Sequence, residues 1–470
     1  MDTYDYLVLG GGSIGMAIAF KLASKLKNSK IAIIDYHIGS AASSAAGAML
    51  GCFGEVTRYT FSDQAHRDKF DLMYAAHNAW PDWIKELEHI SGEKIWHNPG
   101  TNIILNTQGG QLDEENFEAI ISALKQYNEP FQEISPKNIE GLDAASFAKP
   151  LRAIRIEEGA VDSNQYLKVL QTACEKKNIQ FINRKVDKIV KNNDLFTIKG
   201  NFDDIVSKNI ILATGAFSNE LLKNSNLGVD IMPIFSGVGF AMVTETKGSA
   251  FKHTTRVANR SGSCGLHIIP YGNDREYIGA TNVIHTTPQH QMIPGMNIFL
   301  SHCAIEQLKG DIFWSNIKEY KVGNRPLSLD TFPLIGKTSL NGFFVATGTY
   351  RDGFHCSPII AQDIANEIMG EKKIISDVFK PERKPIQTFT QEESIEDYAL
   401  QSLSGAYEFW LKLPGIVSEK DMLNMYRQKA KDIYQQLQTD KTLNTDILFC
   451  LSMPTLPKNA MTELKNYLRK

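Results

Sequence analysis

Gly10, Gly12 and Gly15 stand at the spacing G-x-G-x-x-G, and Asp35 follows twenty residues after the last of them. Each glycine meets a separate need of a bound dinucleotide. Gly10 permits a tight turn out of a strand, Gly12 lets a pyrophosphate approach the backbone, and Gly15 lets helix and strand pack closely. The helix N-terminus that follows offers unpaired N–H groups and partial positive charge to a phosphate. An acidic residue at Asp35 can accept hydrogen bonds from ribose hydroxyls. A second run, Ser43 to Met49 (SSAAGAM), is built of small residues; it can admit a flat, extended ligand or form a flexible loop. A third place, Ile211 to Gly215 (ILATG), ends a strand candidate at a glycine, where backbone can again meet a cofactor. The fingerprint by itself does not separate NAD from FAD.

Positioning these residues takes a particular set of elements. Tyr4 to Leu9 reads as a strand. Ile14 to Leu26 reads as a helix with Ile14, Ile18, Leu22 and Leu26 on one face. Ile31 to Ile34 reads as a second strand ending at Asp35, which completes the β-turn-α-β pattern of a parallel sheet. Further along, Tyr166 to Lys176 looks helical, and Gln180 to Ile182 and Val186 to Val190 look like strands. Lys208 to Thr214 and Phe343 to Ala346 read as buried strands, and Ser357 to Met369 as a helix. The stretches 96–156 and 231–325 show strand-like alternation, as in Thr101 to Leu105 and Glu276 to Ala280. Pro381 and Pro385 mark a linker. Beyond it Ser418 and Asp421 form a capping-box pattern, and Met422, Tyr426, Ala430, Ile433 and Leu437 give an amphipathic helix that must bury one face. Packing on the main body is the expected role of that face, with an oligomer or partner interface as the other.

Composition narrows the possibilities. The 470 residues are 43% hydrophobic and 22% charged, ordinary globular values that can bury a sizeable core. A formal charge of −3 leaves no global positive field for sequence-independent nucleic-acid binding. None of the six cysteines, Cys52, Cys174, Cys264, Cys303, Cys356 and Cys450, has CxxC spacing. That argues against a zinc ribbon or a disulfide framework and for reduced, buried thiols, with no metal site expected. The apolar stretch Leu7 to Phe20 is preceded by Asp2 and Asp5 and broken by glycines, unlike a signal peptide. With no long apolar run, no membrane span is expected, and a soluble cytoplasmic protein is the default expectation.

Seven segments in order resemble one family. GGGSIG with Asp35, SSAAGAMLG (43–51), EEGAVDSNQYLKVL (157–170), ATGAFSNELL (213–222), HIIPYGNDREYIGAT (267–281), and the pair GNRPLSLDTFPLIG (323–336) and ATGTYRDGFHCSP (346–358) are similar to the FAD-dependent amino-acid and amine oxidases. That superfamily includes D-amino-acid oxidase and sarcosine oxidase, and the likeness is especially to glycine oxidase. The resemblance implies an α/β, Rossmann-like FAD domain from 1–90, 157–230 and 326–378. It implies an inserted, mostly antiparallel substrate domain from 91–156 and 231–325. A helical extension, 379–470, falls outside it. It further implies non-covalent FAD held by Gly10, Gly12, Ser13, Ile14, Gly15, Asp35 and Tyr36. The small loop would add Ser43, Ser44, Ala46, Gly47 and Met49, and Val186 would meet adenine through its backbone. Ala213 and Gly215 would complete the nucleotide side, and Gly348, Arg351, Asp352, Gly353 and Phe354 the flavin side.

For the substrate side the resemblance places Arg325 as the anchor of a carboxylate, whose two oxygens a guanidinium can hold with parallel hydrogen bonds. Arg351 would touch substrate or the flavin edge. His267 stands where glycine oxidase has a tyrosine that helps hold the carboxylate. Histidine ordinarily changes charge near neutral pH, so a substrate larger or more acidic than glycine is expected. Residues 323–336 hold no cysteine, unlike sarcosine oxidases with covalent flavin. The implied reaction is hydride transfer from the carbon next to nitrogen to flavin N5, with reoxidation by oxygen giving peroxide and an imine that hydrolyses. A dehydrogenase passing electrons to a quinone or protein, and a binding protein that has lost activity, are the competing readings.

Overall fold

The computed structural model describes residues 3–36, 42–260, 265–272, 274–279, 281–408 and 415–469. Cys264 and Ala280, named above, lie outside them. The expected opening unit is present. Strand Thr3–Leu9 leads through the glycine turn into helix Ser13–Lys25 and then strand Ile31–Asp35. The two strands pair in parallel, with Val8 opposite Ile33. On the far side Val8 pairs in parallel with Ile211 of the long strand Phe202–Leu212. Strands Gln180–Asn183 and Phe343–Thr347 extend this parallel core at either edge. The hairpin strands Val186–Asn192 and Leu195–Gly200 continue it antiparallel.

Helix Ser13–Lys25 was expected to bury one face. It buries Met16, Ala17, Ala19 and Phe20 as well as Ile18 and Leu22. Helices Gly353–Met369 and Ser163–Lys176 pack against it, so nearly every side of its first three turns meets protein.

The second sheet is larger. Its order is 283–285, 234–245, 275–279, 267–270, 254–257, 101–106, 150–156, 131–134, with strand Ile317–Ser328 on the other side of Ile234–Glu245. Among the described residues its pairs are antiparallel except that of Thr254–Val257 with Thr101–Asn106. The strand-like reading of 96–156 and 231–325 needs correction at two helices, Gln111–Tyr127 and Pro294–Gln307. In the first, Leu112, Phe117, Ile120, Ile121 and Leu124 recur at helical spacing and are buried.

After Pro381 and Pro385 the chain is not a loose linker. Arg383 forks onto Asp330 at 3.0 and 2.9 Å and also donates to the Pro333 carbonyl at 2.9 Å. Among the described residues four helices follow, Gln391–Glu408, Glu419–Leu437, Thr445–Leu451 and Ala460–Leu468. The capping box at Ser418 and Asp421 forms. Ala430, Ile433 and Leu437 join one buried cluster with Leu327, Leu329 and Tyr350 of the main body. The amphipathic face is therefore spent on packing. The five described cysteines are free and buried.

Candidate active site

The glycine turn is tight for reasons that can be measured. Gly10 has φ +110°, and a Cβ there would lie 2.3 Å from the Ala213 carbonyl oxygen. A Cβ on Gly15 would lie 1.9 Å from the Gly10 carbonyl oxygen. The first turn and the ILATG turn are thus packed on each other. Helix Ser13–Lys25 has Gly12 as its N-cap, with no side-chain cap and no acidic residue in its first turn, which leaves its positive end available to an anion. Asp35 Oδ2 accepts from the Gly11 N–H at 2.6 Å, fixing the carboxylate beside the turn. Tyr36 next to it is exposed. Asp35 is also in register with Asn183, while Val186, three residues on, opens a strand at the other end of the sheet order. At Gly215, φ is +57° and a Cβ would meet nothing within 4 Å, so the turn opens onto free space. Thr347 Oγ1 donates to its carbonyl at 3.1 Å. A helix start with no acidic side chain, a carboxylate acceptor and an open glycine turn together suit a dinucleotide.

The small-residue loop bridges the two sheets. Ser43 Oγ accepts from the Ser13 N–H at 3.0 Å. The Ser44 carbonyl takes a hydrogen bond from Lys321 Nζ at 3.1 Å, and the Ala45 carbonyl one from the Tyr277 hydroxyl at 2.9 Å. Ala46 packs on the core, and Met49 pairs with Ala160. Gly47 has no room for a side chain: a Cβ would lie 2.8 Å from Ile269 Cδ1 and 3.5 Å from His267 Nε2. On the other side, a Cβ on Gly353 would come within 3.3 Å of Ile14 Cδ1, so the 348–354 loop closes over the fingerprint helix. Gly348 turns at φ +69°. Asp352 pairs with Lys69 at 2.9 Å instead of capping its helix. The Phe354 ring stacks on Trp80 in the core, which leaves only its backbone for a ligand.

Arg325 lies on strand Ile317–Ser328, opposite Gly237. Its guanidinium lies over Gly239, where a Cβ would be 2.5 Å from Nη2. Nη1 donates to the Thr281 carbonyl at 3.2 Å and to Asn282 Oδ1 at 3.4 Å. Among the described residues no carboxylate pairs with it. Arg256, in register with His267, is by contrast buried and paired with Glu55 at 2.8 Å. Burial would raise the Glu55 carboxyl, but the charges of Arg256 and Arg351 outweigh it and hold the group below its usual range. Arg351 Nη1 donates to the Arg260 carbonyl at 3.3 Å, and its guanidinium lies 4.8 Å from the Tyr350 ring centre.

His267 corrects an expectation. Burial, helped by the charges of Arg256 and Arg325, pushes its imidazole down to about 4, so it is neutral across the physiological range. Its Nδ1–H donates to the Gly265 carbonyl at 2.9 Å. Nε2 is then an acceptor, suited to an N–H and unable to donate to a carboxylate as a tyrosine hydroxyl can.

Sequence reading missed Glu55, Arg256, Gly239, Asn282 and Asp446. The two glycines of SGVGF (236–240) were the available signal for the space above Arg325. It also missed the role of Glu158, whose carboxylate accepts the N–H groups of Phe53 at 2.6 Å and Gly54 at 2.9 Å, together with that of Cys52, and so shapes the turn after the small loop. Cys52, His77 and Glu158 gather three ligand-type atoms within 4.8 Å, yet both Glu158 oxygens are already committed to backbone. Burial raises the Cys356 thiol well above its usual value, so it is not a ready nucleophile.

A cavity of about 100 Å³ opens beside this cluster, with Glu55, Lys69, Arg351 and Asp352 in its wall. The C-terminal residues Asp397, Asn444 and Asp446 also line it.

Among curated relatives, the bifunctional protein ThiO/ThiG of Synechocystis sp. is 24% identical over 396 residues, 81% of this chain and 54% of the relative. The chain therefore spans about half the length of the first relatives it matches. Glycine oxidase of Geobacillus kaustophilus is 26% identical over 378 residues, 77% of this chain and 92% of that protein. The crystal structure of glycine oxidase from Geobacillus kaustophilus superposes with a TM-score of 0.71 at 22% identity, covering 82% of this chain and all of that one. Residues 5–367 match the family described as DAO, FAD dependent oxidoreductase. The fingerprint, the open turn at Gly215 and this match over most of the chain agree, and the protein belongs to the FAD dependent oxidoreductase family.

Proposed function

We propose that the protein oxidises the C–N bond of a small amino acid or secondary amine that carries a carboxylate. The observation behind this reading is Arg325: a guanidinium set over a glycine, held among the described residues by neutral acceptors, beside the loop that joins the two sheets. A carboxylate entering there loses water, and a pre-set guanidinium offsets that loss. His267, neutral and with Nε2 as acceptor, suits the substrate N–H and leaves the amine its own electron push. Bound FAD supplies the hydride acceptor, and oxygen is the proposed final oxidant.

In this reading residues 1–90, 157–230 and 326–378 form the FAD domain. Residues 91–156 and 231–325 form the inserted substrate domain, and 379–470 the extension. Arg351 and the 348–354 loop border the flavin side.

An anaerobic screen tests the proposal. Amines with and without a carboxylate are mixed with the FAD-loaded protein, and loss of flavin colour is followed. Bleaching by carboxylate-bearing amines at far lower concentration than by plain amines is expected. Bleaching that ignores the carboxylate overturns the reading. Oxygen uptake without an added acceptor then marks an oxidase, and its absence a dehydrogenase.

A further inference from the structure

The C-terminal helices lie outside residues 5–367, the family-matched region, yet they are fastened to the site at several points. Glu408 pairs with Arg260 at 2.7 Å and Asp397 with Arg58 at 3.2 Å, and within the extension Thr445 Oγ1 donates to Asp397. Helix Thr445–Leu451 is capped by the Asn444 side chain, which accepts from the Asp446 N–H at 3.1 Å. This sets Asp446 in the first turn, almost wholly buried, at the wall of the cavity.

One Asp446 oxygen gathers two donors from the main body. The Tyr350 hydroxyl donates to it at 2.8 Å and Asn282 Nδ2 at 3.3 Å. Asn282 Nδ2 also donates to the Tyr350 hydroxyl. The other end of the same amide, Asn282 Oδ1, accepts from Arg325 Nη1. An amide has a donor end and an acceptor end that differ little in shape. A carboxylate on one side decides which end faces which neighbour. Without it the amide can turn its NH2 toward the guanidinium, placing donor against donor. Tyr350 itself is held at φ +50°, a left-handed conformation that a tyrosine adopts only when its surroundings demand it.

We propose that Asp446, delivered by the C-terminal segment, is a positioning residue for Arg325, acting through the Asn282 amide and the Tyr350 hydroxyl. The proposal rests on Arg325 being the carboxylate anchor. The extension then completes the substrate pocket, and carboxylate recognition depends on a segment that the family match does not include.

The test is calorimetric titration of the FAD-loaded protein with acetate as the carboxylate probe, run on the parent, Arg325→Ala, Asp446→Ala and Asp446→Asn. Asp446→Ala should weaken acetate binding by about tenfold, the scale of one well-made hydrogen bond. Asp446→Asn keeps a neutral acceptor in the same place and should stay within about threefold of the parent. FAD content and melting temperature are followed in parallel. Rescue by asparagine, with FAD retained throughout, is what a purely structural role does not produce. Equal affinity in Asp446→Ala and the parent overturns the proposal, as does a loss that simply tracks FAD content or melting temperature. If Arg325→Ala binds acetate as the parent does, the anchor reading falls and the proposal with it. If Arg325→Ala loses affinity and Asp446→Ala does not, the proposal alone falls.

Discussion

Arg260 and Arg325 flank the same part of the molecule under opposite conditions. Arg260 is 3% exposed and takes Asp113 at 2.6 and 2.9 Å and Glu408 at 2.7 Å, two carboxylates that are themselves buried. Arg325 is partly exposed and meets a carbonyl and an amide oxygen. The first guanidinium has its charge answered by the fold and ties the helix ending at Glu408 to the main body. The second is held in place without being neutralised, so an anion can still bind it. Arginine is thus read by its partners: carboxylates mark a structural clamp, neutral acceptors the proposed anchor.

The most damaging way to probe the clamp is to remove its cation. Arg260→Met leaves two carboxylates buried without a partner, and breaking such a pair costs about 3–5 kcal/mol. Chemical denaturation should show that loss, while acetate affinity of the folded, FAD-loaded fraction stays near the parent's. Adding Asp113→Asn and Glu408→Gln should recover part of the stability. A variant as stable as the parent would erase the distinction between the two arginines.

The reverse experiment is Arg325→Ala. Truncating one partner of a charge pair costs about 2–5 kcal/mol of binding, or about thirty-fold to several thousand-fold in affinity. Carboxylate-bearing substrates should suffer this and plain amines far less, with the flavin spectrum and the denaturation midpoint little changed. Arg325→Lys should recover only part, because an ammonium lacks the two-pronged contact. Equal losses for both ligand sets would make Arg325 a second structural clamp.

The contrast also explains what could be read from the chain. The fingerprint and its βαβ unit are local: strand, turn, helix and Asp35 follow one another within the first 35 residues, and each leaves its own pattern. The setting of Arg325 is not local. Gly239 reaches it by cross-strand register, Asn282 from a turn after another strand, and Asp446 from a helix more than a hundred residues on. Nothing in the spacing of those residues announces that they meet. Glu55 and Arg256 are likewise joined only by the fold. The charge state of His267 was misjudged for a related reason: its type is visible in the sequence, while the burial that decides its titration is a property of the packed sheet. Helix Gln111–Tyr127 was hidden by adjacent apolar pairs, such as Ile120 and Ile121, which satisfy a strand pattern over short windows.

The smallest expected effect concerns that histidine, which senses the unneutralised side of the comparison. Free histidine titrates near 6.5, and His267 in the fold is pushed down to about 4, first by burial and then by the charges of Arg256 and Arg325, against a weaker pull from Glu55. A base with a depressed folded value is neutral in the native protein while the unfolded chain takes up a proton. Its contribution to stability is whole above about 6.5 and drains away as pH falls toward 4. Between about pH 7.5 and 5 this amounts to about 2 kcal/mol. His355, pushed to about 4 by burial, adds the same slope. Asp446 opposes it, since burial raises its carboxyl to about 6 and its contribution is lost as pH rises. The parent's curve therefore mixes several groups, and the difference between parent and His267→Asn isolates one. The variant should lose less stability than the parent between those two pH values, by about 2 kcal/mol. Saturating acetate should shrink that difference, because a carboxylate on Arg325 cancels part of the positive charge that His267 feels and raises its value toward neutral. Denaturant titrations at the two pH values, with and without acetate, measure both quantities. A difference that acetate leaves untouched would mean that no anion reaches Arg325 within range of the imidazole.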